Sequence, residues 1–509
     1  MDYVLGCDLG SQGVKVILLT VEGRLVGEAS VGYAIDYPYP TWAEQDAGLW
    51  TDAICSATRK VLAATGVLPG NVRALGLDAQ VDGVVPVDAA GRPLRSAIIW
   101  MDRRAVAQCD ACANGRDPQH IFALTGLNLD ASHVAPKIRW LADNEPEVYR
   151  QTSHFLLAGS YAALFLTGVL AVDYSNASST MLMDARSRTW SDEMCTAFDI
   201  DPARLAPILP ATADIGPLLP EIAERMGLKA GTRVVLGSGD EHAACLGAGV
   251  VRPGLVCDIA GTAEPVCAVS PEPVIDPTGL VETHSHADPD VWLLENPGFI
   301  SGANYRWFRD QFGAQEVARA AALGQDPYEL LNLEAATVPP GSEGLIMLPC
   351  LMGAMAPTWN ARARGTFMGF TLAHTRAHFC RAVLEASAYA VRDITDDMRA
   401  MGLALEDIRV VGGGARSPLW CQIKADVTGV PVSITQTVET TSLGAAILAL
   451  AGSGQAGSLR QAVEAAVRVV ETRQPQPDIQ ARYEESYQLY RTTYFSLLPA
   501  FEQAARQAA

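Results

Sequence analysis

The feature that most constrains this chain is a glycine–hydroxyl turn that occurs twice, about half the chain apart. The first copy follows an apolar run and reads Asp8-Leu9-Gly10-Ser11-Gln12-Gly13. The second copy reads Asp258-Ile259-Ala260-Gly261-Thr262 and again lies between two apolar runs. Each copy predicts a β-hairpin whose tip offers backbone N–H groups and a small hydroxyl, and such a tip suits phosphate oxygens. Two such tips therefore predict duplicated domains that hold a polyphosphate between them.

The composition limits the classes of partner. The chain has 509 residues, of which 49% are hydrophobic and 19% are charged, as in ordinary globular proteins with two or more domains. The net charge of −19 argues against nucleic acid or an anionic membrane as the main partner. Eleven cysteines without regular spacing, and a first strand with no basic leader before it, predict a cytoplasmic protein. The sequence leaves the oligomeric state open, with a homodimer as one candidate assembly.

Two local patterns favour ordinary structure over a special site. The uncharged run 155–172 is interrupted by two glycine-containing pairs, so we predict a buried helix over Tyr161–Leu166 and no membrane span. A Cys-x-x-Cys pair at 109–112 and a His-x-His pair at 284–286 lack the second matching pair that a zinc site needs. We therefore expect these residues to be plain helix and strand positions.

Strand-like and helical runs alternate in both halves of the chain, which predicts an α/β fold with largely buried sheets. The longest predicted helices are Ala47–Thr65 and Thr375–Met401. Two glycine-rich stretches near residue 250 predict a domain boundary. We expect one domain over residues 1–250, a second over 251–455, and a helical extension over 456–509 that packs on both.

Acids next to the turns are candidates for metal binding and catalysis. Asp8 stands two residues before Gly10, where a carboxylate can hold Mg²⁺ or can simply cap the turn. Lys15 lies close by on the returning strand and adds a cation. Asp240 follows an apolar strand at a helix start, where it can accept the proton of an attacking hydroxyl or serve as a helix N-cap. The local sequence leaves both pairs of alternatives open.

Two further stretches offer surfaces for a ligand. Gly412-Gly413-Gly414-Ala415-Arg416-Ser417 is a strand-to-helix turn whose spacing departs from the dinucleotide-binding fingerprint, and its flat surface can hold an adenine or a ribose. Val81 and Asp82 follow another strand, and Trp100 and Asp102 follow a further apolar run. A Trp face with nearby carboxylates can bind a polyol. The alternative is an ordinary turn with a half-buried Trp.

These pieces together resemble the FGGY family of carbohydrate kinases, whose members include xylulokinases, glycerol kinases and gluconokinases. Gly365–Phe370 with His378–Glu385 resembles the C-terminal signature of the family, and Pro136–Leu141 resembles the N-terminal signature. Gly412–Trp420 resembles the adenosine-binding stretch. The resemblance implies two actin-like (ribonuclease-H-like) domains with ATP and a sugar in the cleft between them. The N-terminal domain would bind the sugar and the C-terminal domain would bind ATP.

The resemblance also implies roles for individual residues. Asp240 matches the general base, and Asp8 and Asp240 match the residues around Mg²⁺. The nucleotide would be contacted by Gly10, Ser11, Gln12, Lys15, Gly261, Thr262, Gly302, Arg306, Gly413, Gly414 and Ser417. The sugar would be contacted by Val81, Asp82, Trp100, Asp102, Asp240 and Glu241.

Some of the residues that would face the sugar depart from the xylulokinase pattern, which the chain otherwise resembles most. Val81-Asp82-Gly83 stands in place of Met-His-Gly, and Glu241-His242 follows Asp240 in place of Asn-Ala or Gln-Ala. The loop Gly353–Pro357 lacks both charges of the usual Gly-Glu-Arg-x-Pro loop. A carboxylate at Asp82 would accept two hydroxyls and repel an acidic sugar. We therefore expect a neutral ketopentose or polyol. The resemblance to xylulokinases implies D-xylulose, with another neutral ketose or a polyol (L-fuculose, L-xylulose, erythritol or glycerol) as the alternative.

Two alternatives come from other classes of protein. The first is an actin-like or chaperone-like ATP switch, which would have no need of the predicted polyol pocket. The second, more distant, is a dinucleotide-dependent oxidoreductase.

The two turns are also predicted to differ in chemistry. When they are aligned on Gly10-Ser11 and Gly261-Thr262, Ile259 takes the place of Asp8. Asp258 is then one residue out of register and should point to the opposite face of its strand. We therefore expect only the first turn to carry a metal-side carboxylate.

Overall fold

The computed structural model of the protein describes residues 1–508, and in that range two large β-sheets carry helices on their faces. The strands are β1 Tyr3–Leu9, β2 Gly13–Thr20, β3 Leu25–Gly32, β4 Glu44–Gln45, β5 Val72–Ala79, β6 Val85–Val87, β7 Ala97–Ile98, β8 His154–Leu156, β9 Val172–Asp173, β10 Ile208–Leu209, β11 Asp214–Pro217, β12 Arg233–Gly239, β13 Gly254–Ile259, β14 Ala263–Ser270, β15 Glu282–Ser285, β16 Trp292–Ile300, β17 Ile346–Leu348, β18 Thr366–Met368, β19 Leu405–Val411, β20 Val432–Thr435 and β21 Val469–Arg473.

The helices of the same range are α1 Ala47–Thr65, α2 Val106–Ala113, α3 Pro118–Thr125, α4 Val134–Asn144, α5 Pro146–Gln151, α6 Ala158–Thr167, α7 Tyr174–Ser178, α8 Asp192–Phe198, α9 Pro220–Met226, α10 Asp240–Gly247, α11 Gly302–Phe312, α12 Ala314–Leu323, α13 Pro327–Ala335, α14 Arg376–Ala400, α15 Pro418–Thr428, α16 Thr440–Gly452, α17 Leu459–Ala466 and α18 Pro477–Ala508. Short 3₁₀ turns lie at Pro69–Asn71, Pro202–Arg204, Ser342–Gly344 and Gly413–Arg416.

The two large sheets share one topology. The first has the order β11-β12-β5-β1-β2-β3, and the second has the order β21-β20-β19-β13-β14-β16-β15. In each sheet an antiparallel hairpin (β1–β2 or β13–β14) is joined in parallel by the next two strands of the core, β5 and β12 or β19 and β20. The duplicated turns are the tips of these two hairpins. The prediction of an α/β fold with two equivalent domains is confirmed.

Helices α10 and α16 pack against each other between the two sheets. This contact fixes the position of the start of α10. The helix α16 comes late in the sequence, yet it packs on α10 and on strands β1 and β5 of the first sheet. Glycines permit this close approach, because a Cβ on Gly76 would lie 2.1 Å from the carbonyl oxygen of Ala445. Likewise, a Cβ on Gly247 of α10 would lie 1.9 Å from the carbonyl oxygen of Thr440. The helix that begins at Asp240 is therefore held tightly between the two halves of the molecule.

The long terminal helix α18 covers the second domain. It buries Tyr483, Tyr490 and Tyr494 in a core shared with α14, α15 and β17. Aromatic side chains suit this role because each buries a large apolar area. The helix lies within the predicted extension 456–509, of which Ala509 falls outside the described residues. The domain limits at residues 250 and 455 remain predictions.

The local patterns that favoured ordinary structure have ordinary places in the fold. The helix predicted over Tyr161–Leu166 forms, with α6 running from Ala158 to Thr167, and among residues 1–508 no helix is long and apolar enough to cross a membrane. The cysteines at 109 and 112 lie on α2, and all eleven cysteines are free, buried thiols. The histidine at 284, in contrast, belongs to a polar cluster described below.

Candidate active site

Three neighbouring parallel strands lead to acids at one edge of the first sheet. Asp8 on β1 pairs in the ladder with Asp78 on β5, and Asp78 pairs with Ser238, two residues before Asp240. Ligands of open α/β sheets bind at the carboxyl ends of the strands. Asp78 is 1% exposed, and within residues 1–508 no N–H or hydroxyl donor reaches its carboxyl oxygens. Sequence analysis missed Asp78 as a site residue because strand pairing, which places it beside Asp8, is not visible in the sequence.

Burial raises the pKa values of all three acids, and neighbouring negative charges raise those of Asp78 and Asp240 further. Burial, together with Asp8 and Asp240, raises the pKa of Asp78 well above its usual range. Burial, Glu241 and Asp8 do the same for the pKa of Asp240. Burial raises the pKa of Asp8 to about 6, although Asp78 and Lys15 act in the opposite direction. Buried carboxyl groups gathered in this way are a fitting environment for a divalent cation.

The donor set fits Mg²⁺ in its usual mode of binding. Within residues 1–508, no group of three or more metal-binding side chains has the geometry to enclose an ion. Mg²⁺ is commonly held by one or two carboxylates, with waters and phosphate oxygens completing the coordination. Asp8 and Asp240 can supply such carboxylates at the mouth of the first turn. Lys15 is already paired there, since its ammonium lies 2.9 Å from Glu439.

Asp240 is not the cap of its helix. The N-cap of α10 is Gly239, and Asp240 is the first helical residue. Within residues 1–508 its carboxylate accepts one hydrogen bond, from the adjacent amide of Glu241 at 3.1 Å. The helix-cap alternative is therefore wrong, and the carboxylate is partly accessible at the strand ends.

One amide of the first turn forms a hydrogen bond within the turn itself. The amide of Gly10 donates to the Gly13 carbonyl at 3.0 Å, which leaves the amides of Ser11 and Gln12 as the donors that the turn can offer to an anion. The hydroxyl of Ser11 accepts a hydrogen bond of 2.7 Å from the indole of Trp100. Trp100 is 43% exposed. The first turn and the aromatic face of Trp100 are therefore directly linked.

The second turn differs from the first in the predicted way. Asp258 is completely buried, and its carboxylate lies 2.5 Å from the ammonium of Lys424 on α15. Lys424 also pairs with Glu264, which follows the turn on β14. Asp258 is thus engaged with α15, and the aligned position beside the turn is occupied by Ile259.

A pocket of about 590 Å³ opens beside the second turn. It is lined by all the residues of this domain that the sequence predicted for the nucleotide, namely Gly261, Thr262, Gly302, Arg306, Gly413, Gly414 and Ser417. Its volume is within the range of sites for small molecules and cofactors. Tyr305, Tyr328 and Asn332 also line it, and sequence analysis missed them because they come from two separate helices, α11 and α13. Trp420, which also lines the pocket, ends the stretch that resembles the adenosine-binding motif. The hydroxyl of Ser417 accepts the amide of Trp420 and caps α15.

Asp82 is held by two neighbouring side chains, Lys137 and His133. It has a left-handed backbone with φ of 60°, its carbonyl accepts Lys137 Nζ at 2.6 Å, and its carboxylate lies 3.4 Å from His133 Nδ1. Burial works against the charged form of His133, yet Asp82 raises the pKa of this histidine to about 9. Val81 lies against Gly239 at the end of β12.

Asp102 does not face the site, which corrects the expectation that it contacts the sugar. Its side chain is completely buried. One or both of its oxygens accept the amide of Ala43 at 2.6 Å, the amide of Arg104 at 2.9 Å and the guanidinium of Arg104 at 2.7–3.0 Å. With both oxygens occupied, Asp102 holds the backbone that carries Trp100 and binds no ligand.

A polar cluster that the sequence did not reveal surrounds Glu241. Glu282 and His284 on β15 and Glu295 on β16 are almost fully buried, and they come from the second sheet. Burial raises the pKa of Glu241, although hydrogen bonding with Glu295 and the charge of His284 lower it. Burial and Glu241 raise the pKa of Glu295 well above its usual range. These residues were predicted to be plain strand positions, or were not considered, because they follow Glu241 by more than 40 residues.

Comparison with known proteins agrees with this arrangement. The N-terminal domain model of the FGGY family of carbohydrate kinases matches residues 3–247, and the C-terminal domain model of the same family matches residues 258–453. The chain therefore belongs to the FGGY family of carbohydrate kinases. It is a sugar kinase built from two actin-like domains, and kinases of this family use ATP.

Individual relatives cover almost the whole chain. The xylulose kinase of Escherichia coli strain K12 is 33% identical over 500 residues, which are 97% of this chain and 99% of the relative. The gluconokinase of Bacillus licheniformis is 28% identical over 457 residues, 90% of this chain and 88% of the relative. The solved structure of a xylulose kinase from Rhodospirillum rubrum superimposes with a TM-score of 0.88 at 29% identity and covers 98% of this chain and all of that one.

Proposed function

We propose that this kinase transfers the terminal phosphoryl group of ATP to a hydroxyl of a neutral ketopentose, with D-xylulose as the first candidate. The observation that carries the proposal is the position of Asp240, a partly accessible acid beside Asp8 at the strand ends and near the first turn. The xylulose kinases among the relatives support the choice of sugar. The acids near Glu241 and Asp82 disfavour an aldonate such as gluconate, because like charges in a buried site repel.

Each part of the site has a role in the proposed reaction. Asp240 accepts the proton of the attacking hydroxyl, and its raised pKa makes it a stronger base once ionised. The amides of Ser11, Gln12 and Thr262 donate hydrogen bonds to phosphoryl oxygens. The carboxylates of Asp8 and Asp240 face the metal. Mg²⁺, when bound, neutralises phosphate charge. Holding the two reactants in line can supply roughly 7–11 kcal/mol of the barrier.

The pocket beside the second turn takes the nucleoside. Gly413 and Gly414 offer a flat backbone surface, and Tyr328 and Trp420 offer aromatic walls. Arg306 is exposed at the pocket, where its charge attracts phosphates. We also propose a reducing cytoplasm as the compartment, because all eleven cysteines are free thiols.

A panel of acceptors tests the proposal. The release of ADP is measured with Mg-ATP and, separately, D-xylulose, L-xylulose, L-fuculose, erythritol, glycerol and gluconate. We expect ADP release that depends on the sugar and is greatest with a neutral ketopentose. ADP release at the same rate without any sugar would favour the ATP-switch alternative and contradict the proposal. Removal of divalent cations with EDTA should abolish turnover, and added Mg²⁺ should restore it.

A further inference from the structure

An ion pair connects the first turn to a segment from the other half of the chain. The ammonium of Lys15 lies 2.9 Å from the carboxylate of Glu439, which follows it by 424 residues. Lys15 is on β2, where it pairs across the ladder with Asp8 on β1. Glu439 is the last residue before α16. The pair therefore ties the strand that leaves the first turn to the start of a helix from the second half of the chain.

The segment that carries Glu439 also contacts the pocket beside the second turn. This segment, residues 436–439, joins β20 to α16. The carbonyl of Val438 accepts the amide of Gly412 at 3.2 Å, and Gly412 begins the glycine-rich turn that lines the pocket. Adjacent residues of the segment thus contact the glycine-rich turn and Lys15. Glu439 is therefore placed between the two regions that the sequence predicted for the nucleotide.

The ion pair is open to water and can be exchanged. The side chain of Lys15 is 25% exposed and that of Glu439 is 49% exposed. An exposed pair of this kind contributes little to stability, because water and salt screen both charges. A lysine ammonium has three donors at the end of a flexible stem. Lys15 can therefore change partners by rotation of its side chain, without a change in the backbone.

A polyphosphate at the first turn would meet both charges of the pair. Burial has the largest effect on the pKa of Asp8, Asp78 and Lys15 lower this pKa, and Glu439 raises it. Both charges thus lie within electrostatic reach of the carboxylate beside the turn. The charge-assisted hydrogen bond of an ammonium to a phosphate oxygen is stronger than a neutral one. In the structure, however, the ammonium is already neutralised by Glu439, so a phosphate has to compete for it.

We propose that Glu439 competes with the phosphates of ATP for Lys15, holding the ammonium in the nucleotide-free protein and releasing it when ATP binds. Glu439 acts through Lys15 and is a positioning residue. Because the segment 436–439 also contacts Gly412, the exchange links the first turn to the pocket beside the second turn. This inference rests on the proposed function, since it takes ATP as the ligand of both turns, and it adds a residue that lowers the affinity for ATP.

Isothermal titration calorimetry with ATP, without Mg²⁺ and without sugar, tests the competition on wild type, Glu439→Gln, Lys15→Met and the double variant. The dissociation constant for ATP should fall about fivefold in Glu439→Gln, which corresponds to about 1 kcal/mol and is the size of an exposed ion pair. Lys15→Met should raise the dissociation constant. The rise should be larger by a factor of about five in the Glu439→Gln background, because Lys15 then has no competing partner there.

Two controls separate the competition from other effects. Adenosine carries no phosphate, so its dissociation constant should be the same in all four proteins. Glu406→Gln removes the acid of another exposed pair in the second domain, in which Arg252 lies at 2.8 Å, and should bind ATP as wild type does. Melting temperatures close to that of wild type verify that the variants fold. Damage to the fold would weaken the binding of ATP, whereas the competition predicts stronger binding.

The possible failures are distinguishable. If Glu439→Gln binds ATP with unchanged or weaker affinity while adenosine still binds, the competition alone is overturned. The same holds if the effects of Glu439→Gln and Lys15→Met simply add. If wild type binds neither ATP nor adenosine, the proposed function is overturned instead.

Discussion

A buried lysine is paired with the acids on both sides of the second turn, and its removal should lower both stability and nucleotide affinity. Lys424 is 1% exposed and pairs with Asp258 before the turn and with Glu264 after it. In Lys424→Met two buried carboxyl groups lose the cation that they share. Breaking a buried pair in this way typically destabilises a protein by about 3–5 kcal/mol. For a domain of this size that is a fall in melting temperature on the order of 10 °C.

The loss should depend on pH in a defined direction. Burial and Glu264 raise the pKa of Asp258 well above its usual range, while Lys424 acts to lower it. Without the lysine, the pKa of Asp258 rises further in the folded protein but not in the unfolded chain. When the pKa of a carboxyl group is higher in the folded protein than in the unfolded chain, the folded protein loses stability as the pH rises towards the folded-state pKa. The deficit of Lys424→Met should therefore be larger at pH 8.5 than at pH 5.5.

Thermal unfolding at the two pH values and the KM for ATP are the measurements. Because β13 and β14 both enter the turn, the KM for ATP should rise severalfold, whereas the exposed control Lys60→Met should match wild type. Replacing all three residues (Lys424→Met, Asp258→Leu and Glu264→Met) should recover most of the stability, since no buried charge remains. A deficit below about 1 kcal/mol, or one that does not change with pH, would refute this reasoning.

Two further predictions concern the second turn and the ion pair between Asp82 and His133. Gly302→Ala should raise the KM for ATP about tenfold, because its Cβ would lie 2.2 Å from the carbonyl oxygen of Gly261 and displace the turn; Gly231→Ala, where a Cβ meets open space, is the control, and an unchanged KM would contradict the prediction. The pKa of His133 is about 9 against 6.5 for the ordinary group, so its ion pair contributes up to about 3 kcal/mol below pH 6.5 and loses it as the pH rises through 9. The melting temperature of wild type should therefore fall more steeply over that range than that of His133→Gln, and equal slopes would show that the pair contributes nothing.

The fold and the lining of the pocket beside the second turn were predictable because their sequence patterns are local. Each turn lies within a few residues of chain, and each ends a strand whose apolar run is continuous. Helices cover both faces of β1, so its pattern identifies a buried strand without further information. The residues of the pocket beside the second turn come mainly from such local motifs, as with Gly413 and Gly414.

The surroundings of Asp8 and Glu241 were predicted less well because tertiary contacts decide them. Asp102 was expected in the site, but Arg104, two residues later, occupies its carboxylate. Asp78 was not predicted as a site residue, and the ladder brings it beside Asp8. Glu295 reaches Glu241 only because β15 and β16 lie against the first domain. Contacts between residues that lie far apart in the sequence leave no periodic pattern in it.

Replacement of the proposed base is the most direct test of phosphoryl transfer at this site. Asp240→Asn keeps the size of the side chain and removes its ability to accept a proton. Sugar-dependent ADP release should fall by about 10²- to 10⁴-fold. The dissociation constant for ATP without Mg²⁺, measured by calorimetry, should stay within about twofold of wild type, because no residue that lines the pocket beside the second turn changes. An Asp240→Asn variant that phosphorylates the sugar at close to the wild-type rate would contradict the assignment of Asp240 as the base.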